Sequence, residues 1–121
     1  MTFRALLIVG LLAAYGCGST SSSPTTPSTP AATGTPVSIV AGSSVLTTTA
    51  YAPNPVSVAV GGSVTWVNND NVVHTSTANN GNWNSGSIAP GGQYTTTFPA
   101  AGSYTYHCAI HPGMVGTITV Q

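Results

Sequence analysis

Short segments in which hydrophobic residues occupy every second position recur through the second half of this 121-residue chain. The clearest of them is residues 56–60, with the sequence VSVAV. Glycine, proline and asparagine turns separate five further candidate strands, namely residues 63–67, 72–77, 93–98, 103–108 and 115–120. Short strands rich in valine, threonine and tyrosine, with turns between them and no helical periodicity, are typical of all-β sandwiches. The pattern therefore predicts one all-β sandwich domain over residues 37–121.

The N-terminal sixteen residues have the pattern of an export signal. Arg4 supplies one positive charge, and an uninterrupted apolar run follows at residues 5–14. A run of this length suits the hydrophobic region of a signal peptide and is too short to span a bilayer. We therefore expect residues 1–16 to be a signal peptide that directs export of the protein.

Cys17 directly follows the small residues that end this signal. The segment Ala14-Tyr15-Gly16-Cys17 resembles the lipobox of bacterial lipoproteins, in which such a cysteine is lipidated and becomes the new N-terminus, although that family usually has leucine where Ala14 stands. The resemblance implies lipidation of Cys17 and a location on the periplasmic or cell-surface side of a bacterial membrane. Ordinary cleavage after Gly16, which would leave Cys17 as a free thiol, is the alternative.

Residues 18–36 contain only serine, threonine, proline, alanine and glycine. Such a segment has nothing to bury against a core, and its prolines favour extended polyproline II structure. We therefore expect residues 17–36 to be a disordered linker that, with Cys17 lipidated, tethers the folded domain to the membrane surface. Without the anchor, the same segment would be a disordered tail.

Charged side chains are almost missing from the chain. Arg4 and Asp70 are the only ones apart from three histidines. Without cations the folded domain cannot neutralise phosphates, which excludes nucleic-acid binding. A single carboxylate also cannot supply the pair that acid–base hydrolysis of glycosides requires. We therefore expect neither a nucleic-acid partner nor a hydrolytic activity of that kind.

An unpaired cysteine in an exported protein points to chemistry at that residue. Cys108 is followed by His111 and Met114 on one short loop, and a further imidazole, His74, lies on a separate candidate strand. Two histidines, a cysteine and a weak axial methionine are the ligand set of blue-copper electron-transfer sites. Thiolate and thioether suit Cu(I), whereas imidazole also suits Cu(II). Zinc usually takes more thiolates, three imidazoles or a carboxylate, so copper is the better fit.

The residues around this cluster resemble those of the cupredoxins, in particular the plastocyanin/amicyanin-like group. The resemblance extends over residues 51–120 and is carried by VTWVNND at 64–70, His74-Thr75, Ser85-Gly86, Pro90-Gly91, GSYTYHC at 102–108, His111-Pro112, Met114 and Gly116. The Cys-x-x-His-x-x-Met spacing is that of the short amicyanin-type loop. Thr75 is a difference, because the family often has asparagine after the upstream histidine.

This resemblance implies a Greek-key β-sandwich that holds one type 1 copper ion, with His74, Cys108, His111 and Met114 as its metal ligands. It also implies that the backbone N–H of Thr75 can reach the Cys108 sulfur. In the family, the exposed edge of the downstream histidine lies in an apolar patch and serves as the electron port. Here the port would be His111, and the patch would consist of Ala109, Ile110, Pro112 and Gly113.

The function that the resemblance implies is the carriage of single electrons between redox partner proteins that dock around His111. The protein would be a monomeric, membrane-tethered carrier and not an enzyme. A copper-handling protein, which carries or buffers copper at the cell surface without relaying electrons, would use the same ligands and is the alternative. A purely adhesive sandwich with a degenerate site is disfavoured by the intact ligand set. A multicopper enzyme is excluded, since its further copper sites need more histidines than the chain's three.

Five other residues are expected to have structural roles. Trp66 and Phe98 are expected in the core, and Asp70 is expected to form a turn. Tyr104 matches the corner tyrosine of some Greek-key sandwiches. Alternation along the strand places His107 on the face opposite Cys108, so we expect it at the surface.

Overall fold

The computed structural model describes residues 34–121, so the predicted signal peptide, Cys17 and most of the predicted linker lie outside the described residues. The described part contains, in chain order, β1 (Thr35–Ile39), a short 3-10 helix (Ser43–Val45), β2 (Tyr51–Ala52), β3 (Val56–Val58), β4 (Ser63–Asn68), β5 (Thr77–Ala78), β6 (Gln93–Thr97), β7 (Gly102–His107) and β8 (Val115–Val120). Within residues 34–121, no helix has the length and apolar character that crossing a membrane requires.

The strands form two four-stranded sheets. Their strand orders are β2-β1-β4-β6 and β3-β8-β7-β5. The β1–β4 and β3–β8 pairs are parallel, whereas β7 and β8 form an antiparallel pair. Tight hairpins cannot join parallel neighbours, so the chain passes repeatedly from one sheet to the other. The predicted all-β sandwich is confirmed.

Large aromatic side chains from both sheets meet in one core. Trp66 of β4 and Tyr106 of β7 are fully buried, and their ring centroids are 5.4 Å apart. Phe98 is buried, as predicted. Trp83 lies in a segment that looks polar in the sequence, yet it is buried, stacks on Trp66 and donates its indole N–H to Ser76 Oγ at 2.9 Å. The core therefore extends into the loop that precedes β6.

Two residues of β7 match their expected roles. The Tyr104 hydroxyl donates a hydrogen bond to the Ala100 carbonyl at 2.8 Å, which is the contact that defines a tyrosine corner. His107 is partly exposed, and its Nδ1 donates to Asn79 Oδ1 at 2.6 Å. Both contacts tie β7 to neighbouring turns.

The prediction of one continuous strand at residues 72–77 is wrong. Its last residue begins β5, and His74 forms an isolated bridge with Ile88. The Ser76 backbone N–H donates to Ser85 Oγ at 2.8 Å, and the Ser76 carbonyl accepts from the Ser85 N–H at 3.0 Å. The segment is irregular because its backbone groups bond to side chains and single residues rather than to a neighbouring ladder.

The first strand begins at Thr35, two residues before the expected start of the domain. It pairs along its whole length with β4, from Thr35 opposite Val64 to Ile39 opposite Asn68. Only Thr35 and Pro36 continue the composition of the linker, so the hydrophobic pattern alone places the start of the domain at Val37. Pairing with β4 identifies Thr35 and Pro36 as part of the domain.

Three strands end at the same end of the sandwich. The register of Ile39 with Asn68 places the ends of β1 and β4 side by side, and His107 opposite Val115 places the end of β7 beside the start of β8. We call this end the site end, because the loops that leave it carry all of the candidate ligands. The chain enters β1 at the opposite end.

Candidate metal centre

The loops of the site end bring the candidate ligands together from two parts of the chain. Cys108 directly follows β7, Met114 directly precedes β8, and His111 lies between them. His74 comes from the connection between β4 and β5. Cys108, His74 and Met114 are fully buried, whereas His111 is partly exposed. Cys108 is a free thiol.

Three donor atoms of this group form a nearly regular triangle. Cys108 Sγ lies 3.8 Å from His74 Nδ1 and 3.9 Å from His111 Nδ1, and the two nitrogens are 3.2 Å apart. A single ion with bonds of about 2.0–2.1 Å to nitrogen and about 2.3 Å to sulfur, arranged in a plane, places sulfur and nitrogen ~3.7 Å apart and the nitrogens ~3.5 Å apart. The triangle therefore fits one metal ion, and its thiolate and two imidazoles suit copper.

The sulfur of Cys108 is fixed by the residue after His74. The Thr75 backbone N–H donates to Cys108 Sγ at 3.3 Å, as the sequence led us to expect. The Thr75 hydroxyl accepts from the Ala109 N–H at 2.8 Å, so threonine ties this segment to the ligand loop where the family often has asparagine. The Tyr51 hydroxyl donates to the Thr75 carbonyl at 2.7 Å. Burial, with a smaller effect of the nearby Cys108, raises the pKa of Tyr51, so the phenol stays protonated as a donor.

Two backbone hydrogen bonds close the ligand loop. The Cys108 N–H donates to the Met114 carbonyl at 3.1 Å, and the Met114 N–H donates to the His111 carbonyl at 3.0 Å. The buried Met114 side chain and the partly exposed His111 ring are thus carried by one closed turn. The surrounding residues that were predicted to form an apolar patch are all exposed: Ala109, Ile110, Pro112 and Gly113.

His74 is held from both its backbone and its ring. Its backbone N–H and carbonyl bond to Ile88 at 3.2 and 2.8 Å. Its Nδ1 faces the other two donor atoms, and its Nε2 lies 2.8 Å from Asp70 Oδ2. The ring therefore has one nitrogen directed at the metal position and the other at a carboxylate.

The contact between Asp70 and His74 was missed from the sequence. Asp70 was expected to form a turn, and its Oδ1 does accept from the Asn71 N–H at 2.8 Å. The hydrogen bond with His74, followed by those from the backbone of Gly42 and Asn71, holds the pKa of Asp70 well below its ordinary value despite burial. The signal in the sequence was the spacing of four residues between the one acid of the folded part and a candidate ligand.

Comparison with known proteins decides the family. The family model described as "Copper binding proteins, plastocyanin/azurin family" matches residues 38–121. The chain belongs to this family. It is similar to the plastocyanin of Scenedesmus fuscus, with 37% identity over 84 residues that cover 59% of this chain and 86% of the plastocyanin. The cupredoxin resemblance that the sequence suggested is therefore confirmed.

Solved structures of other cupredoxins share the fold of the described domain. A purple cupredoxin from Nitrosopumilus maritimus superposes with a TM-score of 0.67 and 32% identity, covering 72% of this chain and 99% of that chain. A variant of amicyanin in its reduced Cu(I) form superposes with a TM-score of 0.62 and 28% identity, covering 75% of this chain and 85% of that chain. The geometry of the three donor atoms and the copper-binding family to which the chain belongs both indicate copper as the metal of this cupredoxin.

Proposed function

We propose that this cupredoxin carries single electrons between redox partner proteins through one type 1 copper ion held by His74, Cys108, His111 and Met114. The observation that supports this most directly is the triangle of one sulfur and two Nδ1 atoms, which is buried apart from the partly exposed His111. Copper bound there supplies a one-electron couple between Cu(I) and Cu(II). The proposal includes no catalytic reaction on a substrate.

The connections around the donor atoms support electron carriage because they limit movement of the ligands. The Thr75 N–H holds the Cys108 sulfur, the bridge to Ile88 holds the His74 backbone, and two backbone bonds close the loop from Cys108 to Met114. A cage of this kind changes little between oxidation states, and a small rearrangement lowers the barrier to electron transfer. We infer that the chain's own contacts provide this rigidity.

The surface around His111 is suited to an uncharged docking contact. Ile110 beside it is 47% exposed, and Val115 at the start of β8 is 36% exposed. The chain has one acid and one base in total, and the acid, Asp70, is buried. We therefore propose that partners dock on the apolar patch around His111, with little steering by charge.

Electron transfer with a partner is expected to depend weakly on salt. We expect the bimolecular rate to change less than about threefold between low salt and ~0.15 M, where the Debye length is ~8 Å, because there is almost no surface field to screen. Ile110→Lys should slow the reaction, since it places a charge beside the port, and leave the visible spectrum unchanged. Stopped-flow kinetics against a redox partner, at several salt concentrations, measure both effects.

The matched control for this substitution is Val60→Lys. Val60 is 53% exposed and follows β3 at the end of the sandwich away from the site, so it receives the same change of side chain far from His111. It should leave the rate unchanged. Equal slowing by the two lysines, or a steep salt dependence of the wild type, contradicts docking at the apolar patch.

Copper handling is the competing function, and two rates separate it from electron carriage. A carrier should exchange electrons rapidly between its own Cu(I) and Cu(II) forms and keep its copper when a partner or chelator is added. A copper-handling protein should release copper readily and exchange electrons slowly. NMR line broadening in mixtures of the two forms measures the first rate, and copper transfer to a chelator measures the second.

We also propose that the protein is exported and anchored to a membrane through lipidated Cys17. Because the chain enters β1 at the end opposite the ligand loops, a tether attached there would leave the His111 surface free for partners. Acyl chains contribute about 0.8 kcal/mol per buried CH₂, so several chains on one cysteine give durable attachment. This arrangement suits a carrier that acts at the periplasmic or outer surface.

Fractionation of cells tests the anchor. The wild type is expected with the membranes, whereas Cys17→Ala should be either unprocessed or released as a soluble protein. Mass spectrometry of the wild-type N-terminus identifies the modification. Recovery of the wild-type protein in soluble form and without lipid would contradict the proposed anchor. It would not contradict the proposed copper centre.

A further inference from the structure

The one acidic side chain of the chain is buried beside a candidate copper ligand. Asp70 is the sole aspartate or glutamate of the sequence, and its side chain is 4% exposed. Its Oδ2 lies 2.8 Å from His74 Nε2. Burying a carboxylate is costly unless hydrogen bonds compensate it, so this placement requires an explanation beyond the formation of a turn.

Hydrogen bonds from a distant segment fix the carboxylate in place. The Gly42 N–H donates to Oδ1 at 3.0 Å, and the Ser43 N–H and hydroxyl both donate to Oδ2 at 3.2 Å. Asn71 adds a further backbone donor to Oδ1 at 2.8 Å. The three backbone donors do not involve His74, whereas the Ser43 hydroxyl also lies 3.1 Å from His74 Nε2. The carboxylate is therefore a fixed acceptor toward which the imidazole is directed.

The tautomer of His74 follows from its two neighbours. Its Nδ1 faces Cys108 Sγ and His111 Nδ1, so that nitrogen must be unprotonated to bind a metal. The proton is then on Nε2, which donates to Asp70 Oδ2. Histidine ligands of metals commonly donate their second nitrogen to an acceptor, and a carboxylate acceptor raises the basicity of the ligand.

We propose that Asp70 is a positioning residue that orients His74 and lowers the reduction potential of the copper centre through its buried negative charge. This inference rests on the proposed copper site. The oxidised centre carries one more positive charge than the reduced centre, so a nearby carboxylate favours Cu(II). The buried position makes the effect larger than a surface charge would give, because water screens it poorly.

Asp70→Asn tests the role of the charge, because it keeps the shape and removes the carboxylate. We expect the copper-loaded variant to stay blue and its affinity for Cu(II) relative to Cu(I) to fall about tenfold. A tenfold change corresponds to a rise in midpoint potential of about 59 mV for one electron. Protein-film voltammetry measures the potential, and competition with chelators measures the affinities.

The double variant Asn69→Asp/Asp70→Asn is the matched control. It has the same composition and net charge as the wild type, but its carboxylate is at the adjacent, exposed position. We expect its potential to resemble that of Asp70→Asn, because contact with His74 and burial are lost. A potential that returns to the wild-type value in the double variant contradicts the specific contact and favours a general effect of net charge.

A second measurement needs only the wild type, so it holds even if the variants do not fold. In the diamagnetic Cu(I) form, NMR should show the His74 Nε2 proton far downfield and exchanging slowly with water. The ring proton of His107, which is bonded to an amide oxygen at the surface, is the internal reference. A His74 proton that exchanges as fast as that of His107 contradicts the hydrogen bond to the carboxylate.

The outcomes distinguish this inference from the proposed function. A wild-type protein that binds copper without a blue colour contradicts the type 1 site itself. A blue wild type whose potential is unchanged by Asp70→Asn contradicts only the role of Asp70. A blue variant with a raised potential supports both.

Discussion

Replacing Cys108 with serine is expected to abolish the intense visible colour of the copper-loaded protein. In the wild type, charge transfer from the Cys108 thiolate to Cu(II) should give a strong blue absorption. A serine hydroxyl holds its electrons more tightly and is a poor ligand for Cu(I), so the visible band should disappear and the affinity for Cu(I) should fall. Visible absorption and electron paramagnetic resonance spectra of the two proteins, each loaded with one equivalent of Cu(II), measure the change.

Met114→Leu is the companion variant for that experiment. It should stay blue and show a higher potential, because loss of a weak axial donor disfavours Cu(II) more than Cu(I). An unchanged potential would show that Met114 is not the axial ligand. Because a similar structure is that of a purple cupredoxin, the colour itself is informative. A colourless or purple wild type contradicts the assignment of a blue site.

Gly116→Ala is expected to destabilise the domain strongly for a single added methyl group. Gly116 of β8 lies directly opposite the fully buried Tyr106 of β7. A Cβ at residue 116 would overlap Cζ and Oη of the Tyr106 ring and lie 2.7 Å from its Cε1. Forcing extra volume into a packed core costs about 1–3 kcal/mol, and each kcal/mol lowers the melting temperature of a small domain by roughly 4–8 °C.

Gly113→Ala provides the matched control for this experiment. A Cβ at residue 113 would meet no atom within 4 Å, and the residue lies on the exposed part of the ligand loop. We expect no loss of stability, because the substitution adds no clash. Thermal unfolding of the copper-free proteins, followed by circular dichroism, compares the variants without a contribution from metal binding. Equal melting temperatures for the two variants would refute the packing of Tyr106 against Gly116.

Local sequence patterns predicted the strands that form regular ladders. The predicted segments at residues 63–67 and 115–120 correspond closely to β4 and β8. In β8 the alternation reflects one buried and one more accessible face, whereas β4 has no exposed residue and was predicted from its strand-forming residues. The segment at residues 72–77 also has strand-forming residues, but side chains such as Ser85 satisfy its backbone. Alternation of apolar and polar residues indicates which side chains are buried, but it does not indicate the hydrogen-bond partner of each backbone N–H.

The three candidate ligands on the loop could be predicted from the sequence because they are close neighbours along the chain. Cys108, His111 and Met114 lie within seven residues, so the length of one loop largely sets their separation. His74 could be added only through the resemblance to cupredoxins and the types of donor that copper prefers. The structure places its Nδ1 beside the other two donors, as that resemblance implied.

Local sequence was enough to indicate the all-β class, the near absence of charge and the three candidate donors of the ligand loop. Each of these depends on composition, on neighbouring residues or on the length of one loop. The packed sandwich was needed to show that Asp70 accepts hydrogen bonds from Gly42 and Ser43 beside His74. It was also needed to show that the Thr75 hydroxyl accepts from the Ala109 N–H. It also decided that β1 pairs in parallel with β4. Most of these contacts join segments about thirty residues apart along the chain. No local pattern specifies such contacts, because they exist only once two sheets have packed and brought the ends of their strands together.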